Sequence, residues 1–480
     1  MNKNLIWFRN DLRIYDNTAL HHACLSDVNE VMGLFIFTPK QWNNHCVAIK
    51  KISFLYQNLI FLQKELLKLN IVLYHHECTD FSNSIEYLLY FCQKNKINHL
   101  FYNYQYEINE KNRDNLITRK LHTQGISVKG FHDNLLIKPD KIKSKDNKPY
   151  KKFYFFKKKI IECLSKKIPI CFPVPRKRIF NHDNIFQVCL IKNYNINFNQ
   201  NLFPIGEKEA INKLKYFCTN KIEDYFLKRN FPSLNNTSML SPYLSLGIIS
   251  TRHCLQMVLN KYKTKSLNTI LNSSWINEII WREFYYHLLI NFPILSKSQS
   301  LLTWEKKINW ENNLNYFNAW KNGRTGFPII DAAMRQLNKI GWMHNRLRMI
   351  TSSFLVKNLL IDWRQGEKYF MYHLIDGDYA LNNGGWQWSA SIGSDSTPYI
   401  RVFNPLRQSK NFDKLGVFIR KYLPELKMVP NNYIHNPYEW TIKHNYRIDY
   451  PKPIIDYASS KEKFFLVYKL AQSFLTNKKD

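Results

Sequence analysis

Within the first 131 residues, five short apolar runs (Leu5 to Phe8, Val31 to Phe37, Ile71 to Tyr74, His99 to Tyr104 and Val128 to Phe131) alternate with segments of helical periodicity. Runs of four to eight apolar residues read as strands buried on both faces, and strands joined by single helices pair in parallel through right-handed crossovers. The pattern therefore predicts an α/β N-terminal domain, 1–131, with a doubly wound parallel sheet. Its clearest helix is Ile49 to Asn70, where Ile52, Leu55, Leu59, Leu62, Leu66 and Leu69 form one apolar stripe. Small ligands in such sheets lie outside the carboxyl ends of the strands, here the turns at Arg9 to Arg13, Thr38 to His45 and Gln105 to Glu110. None of these turns carries a GxGxxG or Walker sequence, which argues against a dinucleotide or nucleoside triphosphate held in the usual way.

Past this domain the character changes twice. From 132 to 205 the chain is Lys-rich and broken by proline, with FPVPRKR at its centre, and reads as an extended basic linker. From 206 to 480 strand-like alternation nearly vanishes. Strong 3.6-residue patterns at Ser274 to Asn291, Ile329 to Ile340, His344 to Ile361 and Glu367 to Ile375 predict an all-α domain. The chain's 480 residues are enough for two or three cores of ordinary size, and 45% hydrophobic content with 14 Gly excludes a disordered or fibrous chain.

The formal charge of +32 suits a polyanionic partner, although Lys is abundant throughout. Between Lys138 and Arg178, fifteen basic residues face three acidic ones, which fits either a solvated connector or a binding surface. Nine cysteines without a CxxC pair suggest neither a disulfide framework nor a zinc site, and no metal site is expected. The N-terminal MNKNLIWFRNDLR does not read as a secretory signal, and no apolar run approaches the ~18 residues of a membrane span. These features suggest a cytoplasmic protein that does not engage membranes, and a monomer is expected.

The densest polar signal is DGDYALNNGGWQWSAS, Asp376 to Ser391, which gathers carboxylates, amides and tryptophans in a Gly-loosened stretch after a helix. Buried polar groups need partners, and a polar aromatic ligand would supply them. In WINEIIWREFYYH, Trp275, Glu278 and Arg282 fall on one helix face beside Trp281; Asn345, Arg348 and Met349 do the same in GWMHNRLRMITSSF. Aromatic planes beside hydrogen-bonding side chains suit extruded bases. In NNTSMLSPYLSLG, the hydroxyls of Thr237, Ser238 and Ser241 fit a pyrophosphate cradle or simple helix N-capping about equally.

Together WFRNDLRIYDNTAL, TSMLSPYLSLGIIS, WINEIIWREFYYHLL, FPIIDAAMRQLNKIGWMHNRLRMITSSFLVKNLLIDWR and DGDYALNNGGWQWSAS resemble the cryptochrome/photolyase family, in order and over most of the chain. Within it the chain is similar to bacterial class I cyclobutane pyrimidine dimer photolyases with a folate antenna. The resemblance implies light-driven repair of pyrimidine dimers in DNA: an electron passes from reduced, anionic FAD to the flipped dimer, and the cyclobutane ring splits in a carbon–carbon lyase reaction.

Carried over by residue, it places Tyr225, Thr237, Ser238, Met239, Leu240, Ser241, Trp275, Arg282, Arg348, Asp376, Gly377, Asp378 and Asn382 around FAD, with Asn382 facing the reactive flavin nitrogen. Met239 stands where the family commonly has Arg or a small residue. Glu278, Trp281, Arg282, Tyr285, Asn345, Met349 and Trp388 would line the lesion pocket, and Arg229, Arg346 and Arg401 would meet DNA phosphates. Trp310, Trp363 and Trp386 match an electron relay. NYQYEINE resembles the folate-type antenna segment, which implies a methenyltetrahydrofolate site made by Asn109 and Glu110 with His45 and Lys297. Repair of (6-4) photoproducts resembles a site with a histidine pair, whereas here the single His344 is followed by Asn345.

Overall fold

The computed structural model describes residues 2–26, 29–179, 194, 198–395 and 400–476. All five sequence-predicted strands form: β1 (Lys3–Phe8), β2 (Glu30–Phe37), β3 (Val72–Glu77), β4 (His99–Asn103) and β5 (Ser127–Phe131). They make one parallel sheet in the order β3-β2-β1-β4-β5, with Leu5 registered on Met32 and on Leu100. The chain order reverses on either side of β1, so the turns after β1 and β4 flank the switch point. The Ile49–Lys68 helix stops just short of the predicted Asn70, because Asn70 adopts φ 56°, a left-handed conformation that ends helices.

The chain divides into two compact units, one comprising Met1–Glu223, Ser238–Ser296 and Ile375–Asp378, the other Asp224–Thr237, Lys297–Leu374 and Tyr379–Asp480. These units cut across the boundary read at 206. The helices Thr251–Lys261 and Ser274–Asn291 belong with the sheet, held by buried polar pairs that periodicity cannot reveal. Arg252 binds the Asp16 carboxylate at 3.0 Å and Asp133 at 2.8 Å, while Glu283 accepts from the backbone N–H groups of Leu136 and Ile137 at 3.0 Å each. Burial pushes the Asp133 carboxyl up, but Arg13 and Arg252 outweigh it and hold the group far below the usual carboxylate range.

The turn after β1 is likewise committed to structure. Arg9 clamps both Asp114 oxygens at 2.8 Å, and Asn103 donates to Asp11 at 2.7 Å. A small cleft lined by Asn10, Asp11, Asn103, Glu107, Asp133 and Tyr286 lies beside these pairs. Within the segment read as a linker, Phe153–Lys166 is a helix whose Phe156, Ile160 and Leu164 are buried. Its apolar stripe is only three residues long amid lysines, which hides it in the sequence. Residues 180–193 and 195–197 of the same segment lie outside the described residues.

In the second unit the core gathers Trp320, Leu337, Leu347, Phe354, Trp363, Phe370, Trp386 and Tyr468. The helix predicted over His344 to Ile361 is Asn345–Ser353, followed by a wider π-type turn over Phe354–Asn358 and Leu360 at φ 48°. The next helix is Trp363–His373, earlier than the predicted Glu367 to Ile375, because the Asp362 side chain accepts from Arg364 N–H and starts it. The stretch expected to be loosened by glycine forms a helix over Tyr379–Ser389. Among the described residues no strand follows Phe131, and no helix is long and apolar enough to cross a membrane.

Candidate functional site

In the first unit, the loop that carries Asp376 and Asp378 is fixed from two sides. Lys51, on the Ile49–Lys68 helix, donates its Nζ to the Gly377 carbonyl at 2.5 Å, and Tyr286 OH donates to Asp378 Oδ2 at 2.5 Å. Burial lowers the Lys51 pKa, against the pull of Asp378, Glu107 and Asp376. Burial and the Asp378 charge push the Tyr286 phenol well up, so it stays a proton donor. Both aspartates are buried, at 5% and 8% exposure. Lys51 lies in no motif, and Tyr286, although inside WINEIIWREFYYH, is not among the residues the sequence reading assigns a role.

The Ser274–Asn291 helix places Trp275 inside, 5.1 Å from the Phe217 ring. Arg282 donates to the Asn134 carbonyl at 2.9 Å and to its side-chain oxygen at 2.5 Å. Among the described residues the buried Arg282 Nε has no hydrogen-bond partner. Trp281 lies flat on Phe153, centroids 3.6 Å apart and planes at 4°, and Tyr285 tilts toward it at 5.7 Å. Phe153 thus covers one face of the Trp281 indole. The Ser241–Ser245 helix has Leu240 at its cap and no side-chain cap bond, so N-capping of that helix does not account for Thr237, Ser238 or Ser241. Met239 adopts φ 51°, a conformation uncommon for a residue with a side chain.

His45 and Asn109 meet in this unit, with His45 Nε2 and Asn109 Nδ2 3.3 Å apart; Gln41 approaches the same ring nitrogen at 2.6 Å. Glu110 Oε2 is buried and has no hydrogen-bond partner among the described residues. Next to it, burial and then the Glu110 charge push the Glu107 carboxyl up to about 7. Lys297 ends the Pro293–Lys297 turn and belongs to the second unit.

The second unit holds Tyr225, Thr237, Asn345, Arg346, Arg348, Met349, Asn382, Trp388 and the three relay tryptophans. Asn382 Nδ2 donates to the Glu367 carbonyl at 3.0 Å, and Asn383 donates to the Glu367 carboxylate at 2.8 Å. Burial raises Glu367 to about 7. Arg346 donates to Asn230 Oδ1 at 2.7 Å and covers the Phe412 ring, while Arg229, the neighbour of Asn230, lies over Tyr225. His344 Nδ1 accepts from Arg346 N–H; burial and then the positive charges of Arg346, Arg348 and Arg229 lower its pKa to about 4. The Arg401 carbonyl accepts from the buried Lys357 Nζ at 2.6 Å. Trp363 and Trp386 are fully buried and Trp310 partly so, its ring 6.3 Å from Tyr468.

A unit built on a parallel sheet and a helical unit rich in buried tryptophan carry these groups. Residues 4–174 match the DNA photolyase family, and residues 275–470 match the FAD binding domain of DNA photolyase. The chain belongs to the cryptochrome/photolyase family. It is 63% identical to the deoxyribodipyrimidine photo-lyase of Buchnera aphidicola subsp. Acyrthosiphon pisum (strain APS), covering 98% of each chain. It is 42% identical to the enzyme of that name in Escherichia coli (strain K12), covering 98% of this chain and 99% of the relative. The crystal structure of a Synechocystis sp. PCC6803 cryptochrome superposes with a TM-score of 0.87 at 27% identity, covering 97% of this chain and 99% of that one.

Proposed function

We propose that this chain is a deoxyribodipyrimidine photo-lyase that splits cyclobutane pyrimidine dimers in DNA under light. The observation that carries the reading is the full-length likeness to bacterial relatives bearing that one enzyme name. Likeness of fold alone would suit a cryptochrome equally.

The residues present fit FAD. Asp376 and Asp378 are buried acceptors on a braced loop, and the orphaned Arg282 Nε is a buried donor suited to a polar ligand. Tyr225, Thr237, Ser238, Met239, Leu240, Ser241, Trp275, Arg348, Gly377 and Asn382 would complete its surroundings. Reduced, anionic FAD supplies the photoexcited electron donor when bound. Asn382, its Nδ2 spent on Glu367, offers Oδ1 as an acceptor and adds no second negative charge beside the flavin.

Glu278 would hydrogen-bond the dimer edge, with Trp281, Tyr285, Asn345, Met349 and Trp388 around it. A dimer pairs poorly, so its extrusion costs less than the few kcal/mol of a normal base; base flipping by photolyases is a known property of such enzymes. Arg229, Arg346 and Arg401 would meet phosphates, giving sequence-independent binding that weakens with salt. Trp386, Trp363 and Trp310 would return electrons to an oxidised flavin from the surface. The antenna would be methenyltetrahydrofolate: Glu110 Oε2 is an unsatisfied buried acceptor beside the His45–Asn109 pair, suited to a heterocycle with N–H groups. We place the protein in the cytoplasm as a monomer.

His344 weighs against (6-4) repair. Its Nδ1 is occupied as an acceptor and its pKa is lowered to about 4, so it is neutral at physiological pH and a poor proton donor. The test is conversion of a defined thymine-dimer oligonucleotide by the reduced protein in blue light and in darkness, with a (6-4) oligonucleotide alongside. Light-dependent reversal of the cyclobutane dimer alone is expected. No reversal with fully reduced FAD bound would move the assignment to a photoreceptor or a non-catalytic damage binder.

A further inference from the structure

Two buried tryptophans of the second unit differ at one atom. Trp386 Nε1 is buried with no hydrogen-bond partner among the described residues. Trp363 Nε1 instead donates to Glu305 Oε1 at 3.2 Å, and Glu305 is itself only 1% exposed. A nearby indole shows the ordinary solution: Trp320 Nε1 donates to a neutral backbone carbonyl, that of Thr351, at 3.1 Å. Placing a buried carboxylate on Trp363 is costly unless the charge is compensated. Arg364 compensates it with two parallel bonds, Nη1 to Oε1 at 2.8 Å and Nη2 to Oε2 at 2.9 Å, and Ser300 Oγ reaches Oε2 at 3.3 Å.

The local charge count favours a positive indole. The Arg364 guanidinium lies 4.8 Å from the Trp363 ring centroid and would oppose a cation there, but it is shared between Glu305 and Asp362, which it meets at 3.1 Å. Two carboxylates against one guanidinium leave a net negative charge beside Trp363. Around Trp386, among the described residues, pack the rings of Trp320 and Phe370, which carry none.

We propose that Glu305 is a positioning residue of the electron relay: by accepting the Trp363 indole N–H, it makes Trp363 easier to oxidise than Trp386, so that the hole moves outward and does not return to Trp386. The inference rests on the relay reading given under Proposed function. Trp386, after giving one electron to the light-excited flavin, is an indole radical cation and acts as the oxidant. One electron passes from Trp363 to Trp386; Trp386 becomes neutral again and Trp363 is left as the radical cation. Its Nε1 proton stays on nitrogen, bonded to Glu305, because protonating that carboxylate would break the Arg364 pair. No bond between heavy atoms forms or breaks. A hydrogen bond to a charged group is stronger than one to a neutral carbonyl, and the difference appears in the oxidised state, where charge has developed.

The test compares Glu305→Gln, Glu305→Leu, Arg364→Gln and Trp363→Phe in the flavin-loaded protein. In darkness, the indole N–H resonance of Trp363, identified by its loss in Trp363→Phe, should move in Glu305→Gln and exchange faster with solvent in Glu305→Leu. After a light flash, the lifetime of the separated charges should fall about tenfold or more in both Glu305 variants, as expected for losing a charge-assisted hydrogen bond. Arg364→Gln should act oppositely, letting Glu305 take the proton and converting the cation spectrum to that of the neutral indole radical. A purely structural Glu305 would produce no such change of species. If Trp363→Phe abolishes long-lived charge separation while both Glu305 variants keep the native lifetime within about twofold, this inference fails and the relay stands. If Trp363→Phe leaves charge separation intact, the relay reading itself is wrong.

Discussion

The six-membered edge of Trp386 packs directly on Gly366, so that a methyl group added there would overlap the ring atoms Cη2 and Cζ3 and press on Leu355 Cδ2. Gly366 lies in the Trp363–His373 helix, where glycine is otherwise a poor choice. The fold gives up helix propensity at this position to bring a helix backbone against an indole. One turn earlier, the same helix carries Trp363.

Gly366→Ala should therefore destabilise the protein despite its better helix propensity. Overpacking a filled core costs roughly 1–3 kcal/mol, more than the ~1 kcal/mol alanine regains. Displacing the ring should also slow photoreduction of the flavin. Chemical denaturation and illumination with an external reductant read the two effects. A variant as stable as the parent would mean that the ring yields at no cost.

Lys51→Met should weaken flavin retention without unfolding the sheet. Its Nζ is the donor that holds the Gly377 carbonyl between Asp376 and Asp378. Losing a charged hydrogen bond of this kind corresponds to a dissociation constant raised roughly tenfold or more. Release of flavin on dilution, followed by its fluorescence, measures this directly; unchanged release would leave Lys51 no part in the loop.

Phe153→Ala should weaken binding to dimer-containing DNA several-fold while flavin content holds. The Phe153 ring backs one face of Trp281, and stacked aromatic pairs are worth roughly 0.5–1.5 kcal/mol beyond the area they bury. Titration of a labelled dimer oligonucleotide in darkness reads the change. Equal affinity would show that Trp281 keeps its place without the stack.

The contrast between these positions and the motifs explains what the sequence could show. The five strands were legible as short continuous apolar runs, as expected where a strand such as Lys3–Phe8 is buried on both faces, and the Ser274–Asn291 helix as a 3.6-residue repeat. The Phe153–Lys166 helix escaped because Lys157 to Lys159 interrupt it within a stretch that is basic and proline-broken on both sides, and the Tyr379–Ser389 helix because two glycines and two asparagines argue locally for a loop. Long motifs supplied Asp376, Asp378, Asn382, Trp363 and Trp386. Lys51, Phe153 and Glu305 stand in no motif. Their roles come from contacts across tens to hundreds of residues, such as Lys51 with Gly377, that only the folded chain brings together.

Glu367 gives stability a dependence on pH whose sign is fixed by its burial. Its carboxyl is raised from 4.5 to about 7, with Asn383 and then Arg364 pulling the other way. Between those values the folded state holds a proton that the unfolded chain has released. The stabilisation is therefore complete below pH 4.5 and is lost as pH rises to about 7. At ~1.4 kcal/mol for each pH unit crossed, the loss is about 3 kcal/mol for this 3%-exposed group. Glu367→Gln keeps the size and polarity of the side chain and removes the titration. Its unfolding free energy should fall less than the parent's between pH 5 and 7, and should exceed the parent's at pH 8, where the parent must bury a carboxylate. Parallel denaturant titrations across that range decide it: curves of equal slope would mean that Glu367 is ionised in the fold throughout.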